Sequence, residues 1–214
     1  MRHHSQRIPG KNYRELAGKP LFHHILETLK RVPGIGQIAV DTDSDVIMGG
    51  ISEHFPDVEI IIRPPELRPD DVPMNEILIH DVSQVKADVY LQTHSTNPLL
   101  KASTVSKAID YFLKNADQFD SLFSVTRMQT RLWDWQGNPI NHNPDELLQT
   151  QDLPPVFEEN SCLYLFTPSM LIKKRHRLGD KPLMFEIPRG EALDIDEEID
   201  FLIADLLMRH RMET

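Results

Sequence analysis

QIAVDTDSD, residues 37–45, is a run of branched apolar residues that stops abruptly at a polar cluster. The pattern reads as a short strand at 37–40 whose carboxyl end carries hydrogen-bonding groups. It recurs along the chain. A strand is expected at 58–62 before RPPEL, and another at 89–92 before THSTNP. Further strands are expected at 121–126, 162–166 and 183–187. Between them lie stretches of helical period at 20–31, opening on Pro20, at 75–86, with Asn75 as N-cap, and at 103–114. In the last, Val105, Ala108, Ile109 and Phe112 share a face. Alternating strands and helices predict one α/β domain over residues 1–214, a Rossmann-like, mainly parallel sheet with helices on both faces. Ligands bind such sheets beyond the carboxyl ends of the strands, so the polar clusters should line one cleft.

The last helix is expected at 196–211, with Ile199, Leu202, Ile203, Leu206 and Leu207 as its apolar stripe and Asp196 as N-cap. Residues 127–160 break the rhythm. They hold Trp133 and Trp135, the turn Gly137-Asn138-Pro139 and the stiff Leu153-Pro154-Pro155. This segment reads as an insertion, either a flap over the cleft or a subunit contact that buries its aromatics.

The formal net charge is -10, which argues against general nucleic-acid binding. Cys162 is the sole cysteine, so no intrachain disulfide forms and a reducing, cytoplasmic setting is expected. Apolar runs fall far short of a membrane span, and the polar, basic start does not read as a signal peptide.

Against that acidity, the first fourteen residues, MRHHSQRIPGKNYR, carry Arg2, Arg7, Lys11 and Arg14 and no acid. Fixed cations around Ser5, Pro9, Gly10 and Asn12 suit a compact polyanion, a nucleoside triphosphate above all. The plain alternative is a disordered basic tail. At the far end, Asp194 and Asp196 stand at i and i+2, so an extended backbone projects both carboxylates to one side. Two hard oxygen ligands suit magnesium, whereas Asp196 alone could simply cap the helix. Arg63 follows a strand, where its guanidinium could meet a base carbonyl or phosphate, or pair with Glu66 or Asp70. Gln92 ends another strand, placed to read a sugar hydroxyl or to cap its own loop. The pairs His3-His4 and His23-His24 lack metal-ligand spacing, and no zinc is assigned.

Together these residues resemble the cytidylyltransferases that activate acidic sugars, above all the acylneuraminate group. The family's P-A-R-G-G-S-K-x-I-P-G-K-N signature is met by Arg2, Ser5, Ile8, Pro9, Gly10, Lys11 and Asn12. Gly18-Lys19-Pro20-Leu21, Thr42-Asp43-Ser44, Arg63-Pro64, Gln92, Gln151-Asp152-Leu153-Pro154 and Ala192-Leu193-Asp194-Ile195-Asp196 follow in the family's order. The resemblance implies transfer of CMP from CTP to a sialate-like sugar acid with release of pyrophosphate. It implies that Arg2, Ser5, Arg7 and Lys11 hold the triphosphate, Asn12 and Arg63 meet the cytosine, and Gln92 contacts the sugar. Asp194 and Asp196 would hold Mg2+, and the chain would form a homodimer through the inserted segment.

Departures qualify the substrate. Gln6 and Arg7 replace the usual Lys pattern and look more like the enzymes that activate 3-deoxy-manno-octulosonate. Thr150 and Glu158 stand where sialate enzymes often carry Arg, which leaves Arg127 and Arg131 as substitute sugar contacts by position. The resemblance also implies a first strand of about 5–6 residues ahead of the signature. The sequence starts inside the signature, so the sheet is expected to lack that strand unless another segment takes its place. A degenerate, non-catalytic nucleotide binder is the alternative reading.

Overall fold

A computed structural model describes residues 1–213. After a 3-10 turn at Lys11–Tyr13, a two-stranded ribbon, β1 (Glu15–Leu16) and β2 (Lys19–Pro20), leads into α1 (Leu21–Lys30). The unit β3 (Ala39–Thr42), α2 (Asp45–His54), β4 (Glu59–Ile62) follows, with β3 and β4 parallel. Then come α3 (Met74–Gln84), β5 (Tyr90–Thr93), α4 (Ala102–Lys114), β6 (Ser121–Met128) and β7 (Val156–Phe166). The chain ends with α5 (Pro168–Lys174), β8 (Pro182–Glu186) and α6 (Glu198–Glu213).

A four-stranded sheet has the order β5-β7-β6-β8. β7 runs antiparallel to β5 and β6, while β6 and β8 are parallel. The carboxyl ends of β3 and β5 meet the same N-terminal loop: His3 N donates to Asp43 Oδ1 at 2.7 Å and Ser95 Oγ to Asn12 Oδ1 at 2.7 Å. Five strands therefore point one way and β7 runs against them. That is the expected mostly parallel Rossmann-like sheet, with one reversed strand that alternation alone could not reveal.

Side-chain alternation along β7 places helices on both faces. Leu163 and Leu165 face the cluster with Ile25 of α1 and Val105, Ala108 and Phe112 of α4. Tyr164 and Phe166 face Leu78 and Val82 of α3 and Leu171 of α5. Burial of these branched and aromatic groups drives the layers together.

Three expectations change. First, β3 and β4 form a sheet separate from β5-β7-β6-β8, and among the described residues no strand stands between β3 and β5. Second, the expected stripe of α6 is its outer face, with Ile199, Leu202 and Leu206 each more than half exposed. Phe201 and Ala204 enter the core instead, beside Ile8, Leu16, Leu21 and Ile195. The helix is pinned in that rotation because Asp205 accepts a hydrogen bond from Ala17 N at 2.6 Å and Arg211 donates to the Leu99 and Gly190 carbonyls at 2.7 and 2.8 Å. Third, neither predicted cap holds. α3 begins after Pro73, and Asn75 Oδ1 accepts from Arg177 N at 3.1 Å. At α6, Asp200 accepts from the N–H groups of Asp196 and Glu197, so the Asp196 carboxylate is free for other partners.

The insertion is an extension of the β6–β7 hairpin. Between those strands only a 3-10 turn at Thr150–Asp152 and a Trp133–Pro139 bridge are regular. Trp133 packs its ring edge on His142, while Trp135 and Leu147 are almost fully exposed.

Candidate active site

The two ends of the chain meet at the carboxyl end of the sheet. Ile195 N donates to Thr96 O at 2.9 Å and Asn97 Nδ2 to Leu193 O at 3.3 Å, which lays residues 193–195 along the loop after β5. Ile195 is fully buried in the core, so extended geometry turns Asp194 and Asp196 the other way, as the i, i+2 spacing requires. Lys11 Nζ donates to Ile195 O at 2.5 Å and lies 3.7 Å from Asp196 Oδ1. Arg7 reaches the same carboxylate at 2.5 Å.

The N-terminal loop is ordered rather than a free tail. Ser5 Oγ accepts from Ile8 N at 3.3 Å. Asn12 donates to Arg2 O at 2.8 Å and accepts from Ser95, so its amide braces the loop against β5. Gly10 has φ 65, and a Cβ there would lie 2.7 Å from the Tyr13 ring, so glycine alone allows this turn. Arg2 and Gln6 both hold Asp70, at 2.5 and 2.6 Å. The cations are thus balanced by Asp70 and Asp196 in partly exposed pairs, which an incoming polyanion could exchange at little cost.

Arg2, Ser5, Arg7, Lys11, Asn12, Arg63 and Gln92 all line one cavity of about 940 Å³. Asp194 and Asp196 line an adjoining cavity of about 430 Å³ with Glu159, Asn160, Ser161 and Arg189. The ion pairs from Arg7 and Lys11 to Asp196 link the two.

Asp194 is the least comfortable acid of the pair. Its Oδ1 is buried without a partner, and burial raises its pKa. The Thr96 side chain opposes that rise, and the charge of Asp196 adds to it. Hard oxygen donors, one of them orphaned, fit a divalent cation.

Arg63 is buried and clamped to Asp41, its Nε donating to Oδ1 at 2.5 Å. Its second terminal nitrogen, Nη1, has no partner. The surface-pair alternative with Glu66 or Asp70 is therefore replaced by a buried pair with Asp41, a residue sequence reasoning passed over. Asp41, His80 and Asp81 bring donor atoms within 4.8 Å of one another. Arg63 already supplies the positive charge there, and no ion is assigned. Burial, then the Asp41 charge, pushes Asp81 up to about 7. A carboxyl whose folded pKa lies above its unfolded value near 3.8 binds more protons when folded, so its contribution to stability falls as pH rises from about 4 to 7. Asp81→Asn should flatten that slope. Moving from pH 7 to pH 5 raises the melting temperature of the parent relative to the variant, and parallel melting curves would remove the assignment.

Gln92 is held from both sides, with Arg177 donating to its Oε1 at 3.1 Å and His94 Nε2 at 3.1 Å from its amide. Burial, then Arg177, lowers His94 to about 4, so this imidazole is neutral near pH 7. Arg177 also stacks on the Tyr164 ring at 3.6 Å and donates to the Tyr164 hydroxyl at 2.8 Å. It was missed because it follows a short helix and matches no motif. The expected sugar contacts Arg127 and Arg131 line neither cavity. Arg127 is exposed on β6 opposite Phe157, and Arg131 donates to Leu148 O within the insertion. Strand alternation turns Arg127 outward, and the insertion carries Arg131 away.

The comparisons agree with this geometry. The family described as "Cytidylyltransferase" matches residues 1–188. The chain is 27% identical to CMP-N,N'-diacetyllegionaminic acid synthase of Legionella pneumophila, covering 98% of this chain and 94% of that protein. It is 24% identical to N-acylneuraminate cytidylyltransferase of Streptococcus agalactiae over 92% of this chain, and spans about half, 49%, of that relative. The fold matches CMP:2-keto-3-deoxy-manno-octonic acid synthetase complexed with CTP, with a TM-score of 0.74, 15% identity, and coverage of 99% of this chain and 96% of that one. It also matches 4-diphosphocytidyl-2C-methyl-D-erythritol synthase of Anaerococcus prevotii, with a TM-score of 0.66, 13% identity, and coverage of 94% and 91%. With the family's sequence pattern running through both the N-terminal loop and the sheet that supports it, the chain belongs to the cytidylyltransferase family.

Proposed function

We propose that this protein transfers the cytidylyl group of CTP to the hydroxyl of an acidic, sialate-like sugar and releases pyrophosphate. The observation that carries the reading is the meeting of Lys11 and Arg7 with the Asp194–Asp196 segment from the opposite end of the chain. In this reaction a sugar oxygen forms a bond to the α-phosphorus and the bond from that phosphorus to the β-phosphate bridge breaks. The hydroxyl proton leaves to solvent.

Arg2, Arg7 and Lys11 exchange their carboxylates for triphosphate oxygens, with Ser5 and the loop backbone completing the cradle. Arg63, fixed by Asp41, offers its free Nη1 to the cytosine, and Asn12 offers the remaining N–H of its amide. Gln92, oriented by Arg177, meets the sugar hydroxyls. Asp194 and Asp196 would hold magnesium, which when bound neutralises phosphate charge and polarises oxygens. Positioning and charge neutralisation supply most of the acceleration.

The exposed Trp135, Leu147 and Ile140 support a homodimer through the insertion, since such apolar groups seek cover. Among the described residues no helix is long and apolar enough to cross a membrane. A buried free thiol at Cys162, pushed up to about 12 by burial, suits a reducing, cytoplasmic setting.

The test is pyrophosphate release with CTP, a magnesium salt and a panel of N-acetylneuraminate, a diacetylated nonulosonate and 3-deoxy-manno-octulosonate. Release with at least one sugar, and with CTP above UTP or ATP, is expected. CTP binding without release for any sugar would instead make this a nucleotide binder. Sedimentation of the same preparation should give twice 24.7 kDa, and a lone 24.7 kDa species would remove the dimer.

A further inference from the structure

Arg177 is a largely buried cation whose hydrogen-bond partners are neutral. Nη1 donates to Gln92 Oε1 at 3.1 Å and Nη2 to the Tyr164 hydroxyl at 2.8 Å. Glu159, the one carboxylate within 4 Å of it among the described residues, stands off at 3.9 Å. The loop that carries Arg177 is built to hold it there. Arg175 takes a left-handed φ of 51, a costly conformation for a residue with a side chain. Arg177 N is held by Asn75 Oδ1. Gly179 lies against Asp120, where a Cβ would come within 2.2 Å of the carboxylate. That carboxylate accepts from the N–H groups of Asp180 and Lys181 at 2.8 and 3.1 Å. Tyr164, fully buried, stacks on the guanidinium and donates to Glu159.

The partners of Gln92 fix which end of its amide faces which way. A guanidinium has only N–H groups to offer, so the atom it meets is the carbonyl oxygen. The amide nitrogen then faces His94 Nε2 at 3.1 Å. Two donors cannot bond, so His94 Nε2 accepts and the neutral ring carries its proton on Nδ1. The charged groups that face His94 are Arg177, Lys11 and the Met1 amine, all cations, and together with burial they keep the ring neutral near pH 7. A turned amide would set N–H against the guanidinium and oxygen against an imidazole lone pair. Gln92 and His94 line the 940 Å³ cavity, and Arg177 does not. The carbonyl end of the amide therefore faces the wall, and the nitrogen end keeps one N–H for the cavity.

We propose that Arg177 is a positioning residue that locks Gln92 as a donor, and that the lock selects a substrate oxygen that accepts but has no proton to give. On a sugar acid that oxygen belongs to the carboxylate or to an acyl carbonyl. A hydroxyl needs no such lock, because it turns its own proton to suit either end of an amide. The inference rests on the transfer reaction proposed above and narrows the contact that Gln92 makes.

Two measurements test it. The first needs no substrate. Imidazole nitrogen shifts near pH 7, with His94 identified by its loss in His94→Asn, should place the His94 proton on Nδ1 in the parent and show a mixture of tautomers in Arg177→Met. A proton on Nε2 in the parent overturns the proposal, and so does an unchanged single tautomer in Arg177→Met. The second is transfer kinetics with N-acetylneuraminate and 3-deoxy-manno-octulosonate. Gln92→Glu keeps the acceptor and loses the donor. It should raise the sugar KM by about tenfold or more, and Arg177→Met by about fivefold, with the CTP KM held within about twofold in both. Arg177→Lys keeps a donor for Oε1 and should recover part of the loss. A rise with both sugars supports the carboxylate, which both carry, and a rise with N-acetylneuraminate alone supports the acyl carbonyl. An unchanged sugar KM in Gln92→Glu overturns the lock. An equal rise of both KM values in Arg177→Met, with a lower melting temperature, overturns the positioning role in favour of a structural one. If neither sugar is turned over by the parent, the transfer reading fails, and the His94 tautomer still decides the orientation of Gln92.

Discussion

Asp194→Asn lowers pyrophosphate release by about 10³-fold, about 4 kcal/mol of transition-state stabilisation, while CTP binds within about threefold of the parent. The effect traces to the unpartnered Oδ1 of Asp194. A buried carboxylate with one bare oxygen and a neighbouring acid is held toward its neutral form, as the raised pKa records. A cation brought to the site favours the charged form, as Lys11 and Arg7 already do more weakly. Asparagine keeps the shape and the Thr96 hydrogen bond but cannot supply that charge. Because the substitution removes an unfavourable buried charge, stability should hold or rise, which separates lost chemistry from lost folding. Release at the parent rate would eliminate the metal-holding role of Asp194. Manganese binding, read by its paramagnetic signal, should weaken in parallel.

The second large effect is on stability. Arg63→Met removes the guanidinium that is paired with the buried Asp41 carboxylate. Asp41 would keep Oδ2 without a partner, as now, and lose the bonds at Oδ1 as well. Breaking one half of a buried pair costs about 3–5 kcal/mol, mostly because the remaining charge stays desolvated. Asp81 offers little relief, since it already sits uneasily beside Asp41 and holds its own proton near neutrality. Urea unfolding measures the loss. The double variant Asp41→Asn/Arg63→Met should recover most of it, because the orphaned charge is gone. A loss below about 1 kcal/mol in the single variant would show that the pair is solvated in solution.

Part of the geometry of the candidate site was legible from residue order. The cation-rich loop, the Gly10 turn and the i, i+2 aspartates are local patterns, and extended geometry alone turns Asp194 and Asp196 to one side. Arg63 and Gln92 were found by their place at strand ends, and both line the main cavity. What escaped was whatever depends on a partner distant in sequence. Asp41 looked like part of a polar cluster until the fold set Arg63 against it. Arg177 carries no motif, yet it orients Gln92 from 85 positions away. The α6 stripe failed for a related reason. Periodicity shows that a helix is amphipathic, but Phe201, Ala204 and the Asp205 hydrogen bond decided which face turns inward. Arg127 and Arg131 were chosen by position, and the β6–β7 hairpin carried them away from the cleft.

The sequence by itself determined the alternation of strands and helices, the clustering of cations in residues 2–12 and the projection of Asp194 and Asp196 to one side. These are properties of neighbouring residues, set by side-chain period and backbone geometry. Only the tertiary structure decided that β7 runs against its neighbours, that Lys11 closes on Ile195, and that β3 and β5 line one cavity. Each of these depends on which surfaces exclude water together, and that is a property of the packed chain.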